Sequence, residues 1–207
     1  MFKTIWSENK KSFFRYWLVI LIIMIVGYAA TYIGLKAFHI DLKKAADVLS
    51  EATKIDSDSL ENSSYWQDSL GLFKHNWEVC AKILIIALIP IPFLYSLSVL
   101  LTGASIGVAL ALVQQSGYNV FKAFFLGILP HSVLELSVFI VCAIFAGKIN
   151  KLVLGNIANL FRKNKKELPS FWAQVKEVVL VFFILVTPGI FIAGLIEGFI
   201  SQYLLNM

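Results

Sequence analysis

Long uncharged stretches separated by short charged ones dominate the chain. The first apolar run covers about residues 16–36, close to the twenty or so residues a helix needs to cross about 30 Å of hydrocarbon. A second run, Ile83–Val113, has no charged residue. As one helix it would be about 46 Å long, well beyond that slab. It also contains Pro90, Pro92 and the small-residue segment Thr102-Gly103-Ala104-Ser105, so a hairpin of two spans or one broken helix are the options. Further apolar runs cover about 121–147 and 177–205, the last interrupted by Pro188-Gly189, where a kink is expected.

Charge placement orients these runs. Lys3, Lys10, Lys11 and Arg15 precede the first, and Lys148, Lys151, Arg162, Lys163, Lys165 and Lys166 flank the last two. Basic residues beside apolar spans mark the cytoplasmic side, held near anionic headgroups. The polar loop of about residues 38–75 carries Asp41, Asp47, Glu51, Asp56, Asp58, Glu61 and Asp68 against Lys43, Lys44, Lys54 and Lys74, and is expected outside. An odd number of crossings must then separate His75 from the basic loop. Residues 121–147 supply one, so Ile83–Val113 should cross twice.

The pattern therefore predicts an all-α integral membrane bundle of about five spans, near 16–36, 80–98, 100–115, 121–147 and 177–205. It forms one domain over 1–207, with the amino terminus cytoplasmic and the carboxyl terminus outside. Leu42, Ala45, Ala46, Leu49 and Ala52 recur at helical spacing and predict a short amphipathic helix on the outer surface, followed by a linker at Asp56–Ser64. The basic loop, 148–171, is amphipathic on the cytoplasmic face, with Leu152, Val153, Ile157, Leu160 and Phe161 among its polar residues. Asn76 is placed to cap the helix of the second run. The first run is longer than a signal-peptide core and no A-x-A site follows it, so it is expected to be retained.

Composition agrees. The 207 residues are 58% hydrophobic, against about 45–50% in soluble domains, and mean hydropathy is +0.77. The net charge of +5 sits in the flanks of apolar runs, which argues against nucleic acid as a partner. Cys80 and Cys142 have no CxxC spacing and read as buried small residues, not a disulfide framework or thiolate metal site.

Three ionisable residues lie far from any predicted interface: His131, Glu135 and Glu197. A charge at such depth costs at least about 2.5–3.5 kcal/mol, so these groups are expected to meet one another inside the bundle. His131 and Glu135 share a helix face, directly after Pro130. Counting along the fourth and fifth spans puts His131 and Glu197 at a similar depth, roughly 12–14 Å. The cluster reads as a hydrogen-bonded lock on helix register, as a proton or ion relay, or as a metal site of one imidazole and two carboxylates with a position open to water. That last set suits zinc. Gly103 with Gly107, and Gly194 with Gly198, form GxxxG pairs for close helix packing and leave a homodimer open. Trp66, Trp77 and Trp172 read as interfacial belt residues.

The segment Leu129-Pro130-His131-Ser132-Val133-Leu134-Glu135-Leu136 resembles the P-H-G-x-x-E-L signature of the stage II sporulation protein M family. Asn76, Gly103, Gly107 and Leu195-Ile196-Glu197-Gly198-Phe199-Ile200 support the likeness, which extends over about Asn76–Ser201. Ser132 stands where the family usually has glycine. The resemblance implies a multipass bacterial cell-membrane protein in which His131, Glu135 and Glu197 are the family's polar residues. It also implies a part in envelope remodelling during sporulation, beside peptidoglycan-degrading partners, or in making or exporting circular bacteriocins. The expected role is a scaffold or accessory component that docks other envelope or export proteins through its outer acidic and cytoplasmic basic loops. The alternative is an intramembrane metal-dependent hydrolase, with zinc as cofactor and Glu135 as general base. The scaffold reading expects direct hydrogen bonds in the cluster and no cavity. The hydrolase reading requires the three side chains to converge within about 4 Å on a wet space.

Overall fold

The computed structural model describes residues 2–38, 65–115, 117 and 119–201. The amphipathic helix expected around Leu42–Ala52 and the linker at Asp56–Ser64 lie outside the described residues, as do the last residues of the fifth run. Five helices account for nearly everything described. They are α1 (Phe2–Ala37), α2 (Tyr65–Ile86), α3 (Leu97–Gln115, preceded by a 3₁₀ turn at Leu94–Ser96), α4 (Val120–Leu160) and α5 (residues 171–201).

Proline shapes three of them. Pro130 and Pro188 can neither donate to the preceding turn nor sit close to its carbonyl. In each case the turn ahead widens to a π-helix, at Ala123–Ile128 in α4 and Phe182–Val186 in α5, and the helix continues. Pro90 and Pro92 together end α2. Phe93 takes a left-handed backbone, with φ of 64°, and the chain reverses into α3. The stranded carbonyls of Ala87 and Ile89 accept from the buried Asn150 Nδ2 of α4, at 3.0 and 2.7 Å.

Side-chain contacts give the directions. Tyr16 meets Ser96 (2.8 Å) and Tyr28 donates to Gln114, so α1 and α3 run parallel. Ala87 lies at Asn150 and Cys80 beside Cys142, so α2 and α4 run parallel. Trp77 reaches Thr187 while Ser69 faces Gly194 and Gly198, so α5 opposes α2. The helices thus alternate in direction, and Lys10, Lys11 and Arg15 lie at the same end of the bundle as the 161–170 loop. Both GxxxG pairs pack inside the chain. A methyl on Gly107 would meet the Met24 carbonyl and come within 2.9 Å of the Tyr28 nitrogen on α1, and one on Gly194 within 3.0 Å of the Ser69 carbonyl on α2. α4 is the centre, burying Leu136, Phe139, Ile140, Cys142, Ala143, Phe145 and Ile149, whereas α1 fully buries only Ile20 among its described apolar side chains.

Ser7–Ala37, Leu94–Gln115, Val120–Leu160 and Phe171–Phe199 are long and apolar enough to cross a bilayer. α2 is not among these, because Lys74, Glu78 and Lys82 lower its hydropathy, but it packs between α4 and α5. The second helix therefore starts well before residue 80, and residues 65–75 belong to it and not to the outer loop. Asn76 sits in its middle, buried, and caps nothing. Ser69, Asn76, Cys80 and Ile83, with Ala87 just past the helix end, form its buried face, while Lys74, Glu78 and Lys82 are not buried. Similarly, α4 runs unbroken to Leu160 through the segment expected to form a separate amphipathic helix, leaving only 161–170 as loop. Asn159 clamps that loop, donating to the Lys166 carbonyl (2.8 Å) and accepting from its nitrogen (3.1 Å).

Candidate functional site: a cavity between four helices

The three deep ionisable residues meet. His131 and Glu135 stand one turn apart on α4, just beyond the π turn that accommodates Pro130. Glu197 comes from the π-helical turn Ile196–Ser201 of α5. Gly194 and Gly198 let that turn lie directly on α2, which fixes where Glu197 can reach. His131 Nε2 lies 3.8 Å from Glu197 Oε2, longer than a hydrogen bond. One ligand atom from each of His131, Glu135 and Glu197 lies within 4.8 Å of the others. Ligands on one small cation are separated by at most about twice a bond of 2.0–2.2 Å.

The cluster opens on a cavity of about 370 Å³, within the size range of ligand pockets, about 300–1,000 Å³. α2 contributes His75 and Asn76, α3 contributes Thr102 and Ser105, and α4 adds Ser132 beside the cluster. Leu72, Val79, Ile106, Ala109, Ile128 and Phe139 supply apolar wall. Asn76 is only 6% exposed, and among the described residues its carboxamide makes no side-chain hydrogen bond. Thr102 donates to the Ser98 carbonyl (3.0 Å) and Ser105 to that of Leu101 (2.9 Å). Their hydroxyl protons are thereby occupied, so both oxygens offer only lone pairs to the cavity.

Other predicted residues lie elsewhere. Gly103 and Gly107 pack on α1 and take no part in the cavity wall. Arg162, Lys163, Lys165 and Lys166 are exposed in the clamped loop. Trp77 is not a belt residue: it stacks edge-on against Phe182 at 5.4 Å and donates to Thr187 Oγ1 at 3.2 Å. Trp66 and Trp172 are exposed, and both cysteines are free and buried. Sequence reasoning missed the Lys148–Glu177 pair (3.4 Å), whose carboxylate also accepts from Gln174, and the role of Asn150. The signal for Asn150 was present: an amide in an apolar helix, following a run whose two prolines had to strand carbonyls.

A sequence model described as Stage II sporulation protein M matches residues 17–202. No curated protein and no solved structure matches the chain.

Proposed function

The chain belongs to the stage II sporulation protein M family, and from that premise we propose that it is a multipass component of the bacterial cell membrane whose working part is a divalent-cation site at His131, Glu135 and Glu197. In this reading it serves as an accessory or scaffold in envelope remodelling or in peptide maturation and export, with its basic end in the cytoplasm. One observation carries the proposal: three ligating atoms within 4.8 Å of one another, from two helices, face a 370 Å³ cavity. The space departs from the expectation of a cluster without a cavity, and a cation held between His131 and Glu197, 3.8 Å apart, would account for it. A cation between α4 and α5 neutralises two carboxylates that lipid would otherwise disfavour, and it makes the packing of α5 depend on metal.

The cavity also favours a second reading, hydrolysis within the membrane. A cation there would lower the pKa of bound water and polarise a carbonyl, and the space beside it admits both. His131 and Glu197 would then hold the cation, with Glu135 placed to take a proton from the water.

The test is genetic and then chemical. A chromosomal His131→Ala, Glu135→Gln variant that inserts at the wild-type level should reproduce the envelope or peptide-export defect of a deletion. Full function from that variant would remove the cluster from the protein's work. Chelator-sensitive cleavage of a fluorogenic apolar peptide by the purified protein, lost in Glu135→Gln, would select hydrolysis over scaffolding.

A further inference from the structure

The cation reading leaves most of the cavity unexplained. A bare ion needs little of 370 Å³, and a water molecule takes about 30 Å³ in the liquid. Of the polar groups beyond the cluster, His75 and Ser132 can donate, whereas Asn76, Thr102 and Ser105 can each offer oxygen lone pairs to the space. Thr102 and Ser105 present oxygens whose protons already bond to backbone carbonyls. Asn76 is nine-tenths buried, faces the same space, and has no side-chain partner among the described residues. The parallel register that sets Cys80 beside Cys142 and Ala87 at Asn150 places Asn76, one turn before Cys80, level with the α4 turn just beyond Glu135. Asn76 thus lines the cavity from α2, and Thr102 and Ser105 line it from α3. Together with the two carboxylates, these three oxygens give the space acceptors that bound water would satisfy.

Resting on the cation reading, we propose that the site takes a six-coordinate, partly hydrated divalent cation of the manganese class, which accepts imidazole beside carboxylates, and not four-coordinate zinc, and that Asn76, Thr102 and Ser105 hold its water shell. Cations of this class prefer six ligands and keep several waters, and carboxylate, carbonyl and water oxygens suit them. The cluster supplies one imidazole and two carboxylates; the remaining positions are water. The Asn76 carboxamide oxygen and the Thr102 and Ser105 hydroxyl oxygens accept from that water, which fixes its orientation without touching the ion.

The experiment uses the full-length protein in lipid nanodiscs, stripped with chelator and titrated with Mn²⁺ while electron paramagnetic resonance reads the free aquo ion. Zn²⁺ is titrated in competition. The wild type should bind one Mn²⁺ per chain, and echo-envelope modulation in D₂O should show exchangeable water on it. Asn76→Leu, and separately Thr102→Val with Ser105→Ala, should each weaken Mn²⁺ binding by about tenfold or more, as loss of outer-shell partners does, with a much smaller effect on Zn²⁺. Asn76→Ser, which keeps an acceptor oxygen, should restore part of the loss and guards against a mere folding defect. Unchanged Mn²⁺ affinity in the Asn76 and α3 variants, or bound Mn²⁺ without exchangeable water, overturns the proposal while the cluster still binds metal. If the wild type binds neither ion and His131→Ala makes no difference, the cation reading itself fails.

Discussion

Replacing Asn150 with leucine should loosen the turn between α2 and α3, and the size of the effect follows from the structure. Asn150 is 2% exposed, and its carboxamide donates to two backbone carbonyls, Ala87 O at 3.0 Å and Ile89 O at 2.7 Å. Leucine has similar bulk, so little cavity forms, but both carbonyls lose the donor. Interhelical hydrogen bonds in membrane bundles contribute about 0.6 kcal/mol on average and up to about 1.7 kcal/mol each. Two of them give about 1–3 kcal/mol. For a chain of this length, 1 kcal/mol moves the melting midpoint by about 2–4 °C, so the expected fall is about 2–12 °C. The protein provides its own probe. Its two cysteines, Cys80 and Cys142, are both free and buried on the helices that Asn150 ties together. A dye that fluoresces on thiol addition therefore reports unfolding directly during a thermal ramp in detergent. Asn159→Ala, which breaks a pair of bonds in an exposed loop, is the control and should stay within about 0.5 kcal/mol of wild type. An Asn150→Leu midpoint within 1 °C of wild type would refute the reasoning.

Gly107→Leu should sharply reduce folded yield, since the backbone of Met24 and Tyr28 cannot move aside, whereas Gly34→Leu, which has open space, should not; size-exclusion profiles of the two variants test this. Changing Arg162, Lys163, Lys165 and Lys166 together to glutamine should abolish the extra thermal stability that phosphatidylglycerol nanodiscs confer over phosphatidylcholine ones, an effect that salt should also screen. If the quadruple variant keeps the full difference, anionic headgroups do not engage this loop. A reporter fused after Met207 should read as external, since five alternating helices end opposite the basic end. A cytoplasmic readout would mean that α2 does not cross.

The helices rich in lipid-facing residues were legible because a long apolar run has few physical alternatives. The cluster was legible for the same reason reversed: charge so deep in apolar helices has to find partners, and His131, Glu135 and Glu197 did. α2 was misplaced because its buried face mixes polar and apolar residues, Ser69, Asn76, Cys80 and Ile83, on a helix that also carries the Glu78–Lys82 pair. Averaged hydropathy hides such a face, whereas following positions at three-, four- and seven-residue spacing would have traced it. That error also hid Asn76 as a cavity residue. The cavity itself was not readable, because it depends on where the α1–α3 pair comes to rest against α2, α4 and α5. Nor was the unbroken α4, since an amphipathic segment reads alike as a separate surface helix or as the end of a long one.

The central claim is that His131, Glu135 and Glu197 hold a divalent cation, and elemental analysis tests it most directly. Protein purified in mild detergent, loaded with Mn²⁺ or Zn²⁺ and then dialysed, should retain close to one metal per chain by mass spectrometry. His131→Ala and Glu197→Gln, folded by the thiol assay, should each retain far less. Wild-type protein without stoichiometric metal, or variants that keep as much as wild type, would contradict the account.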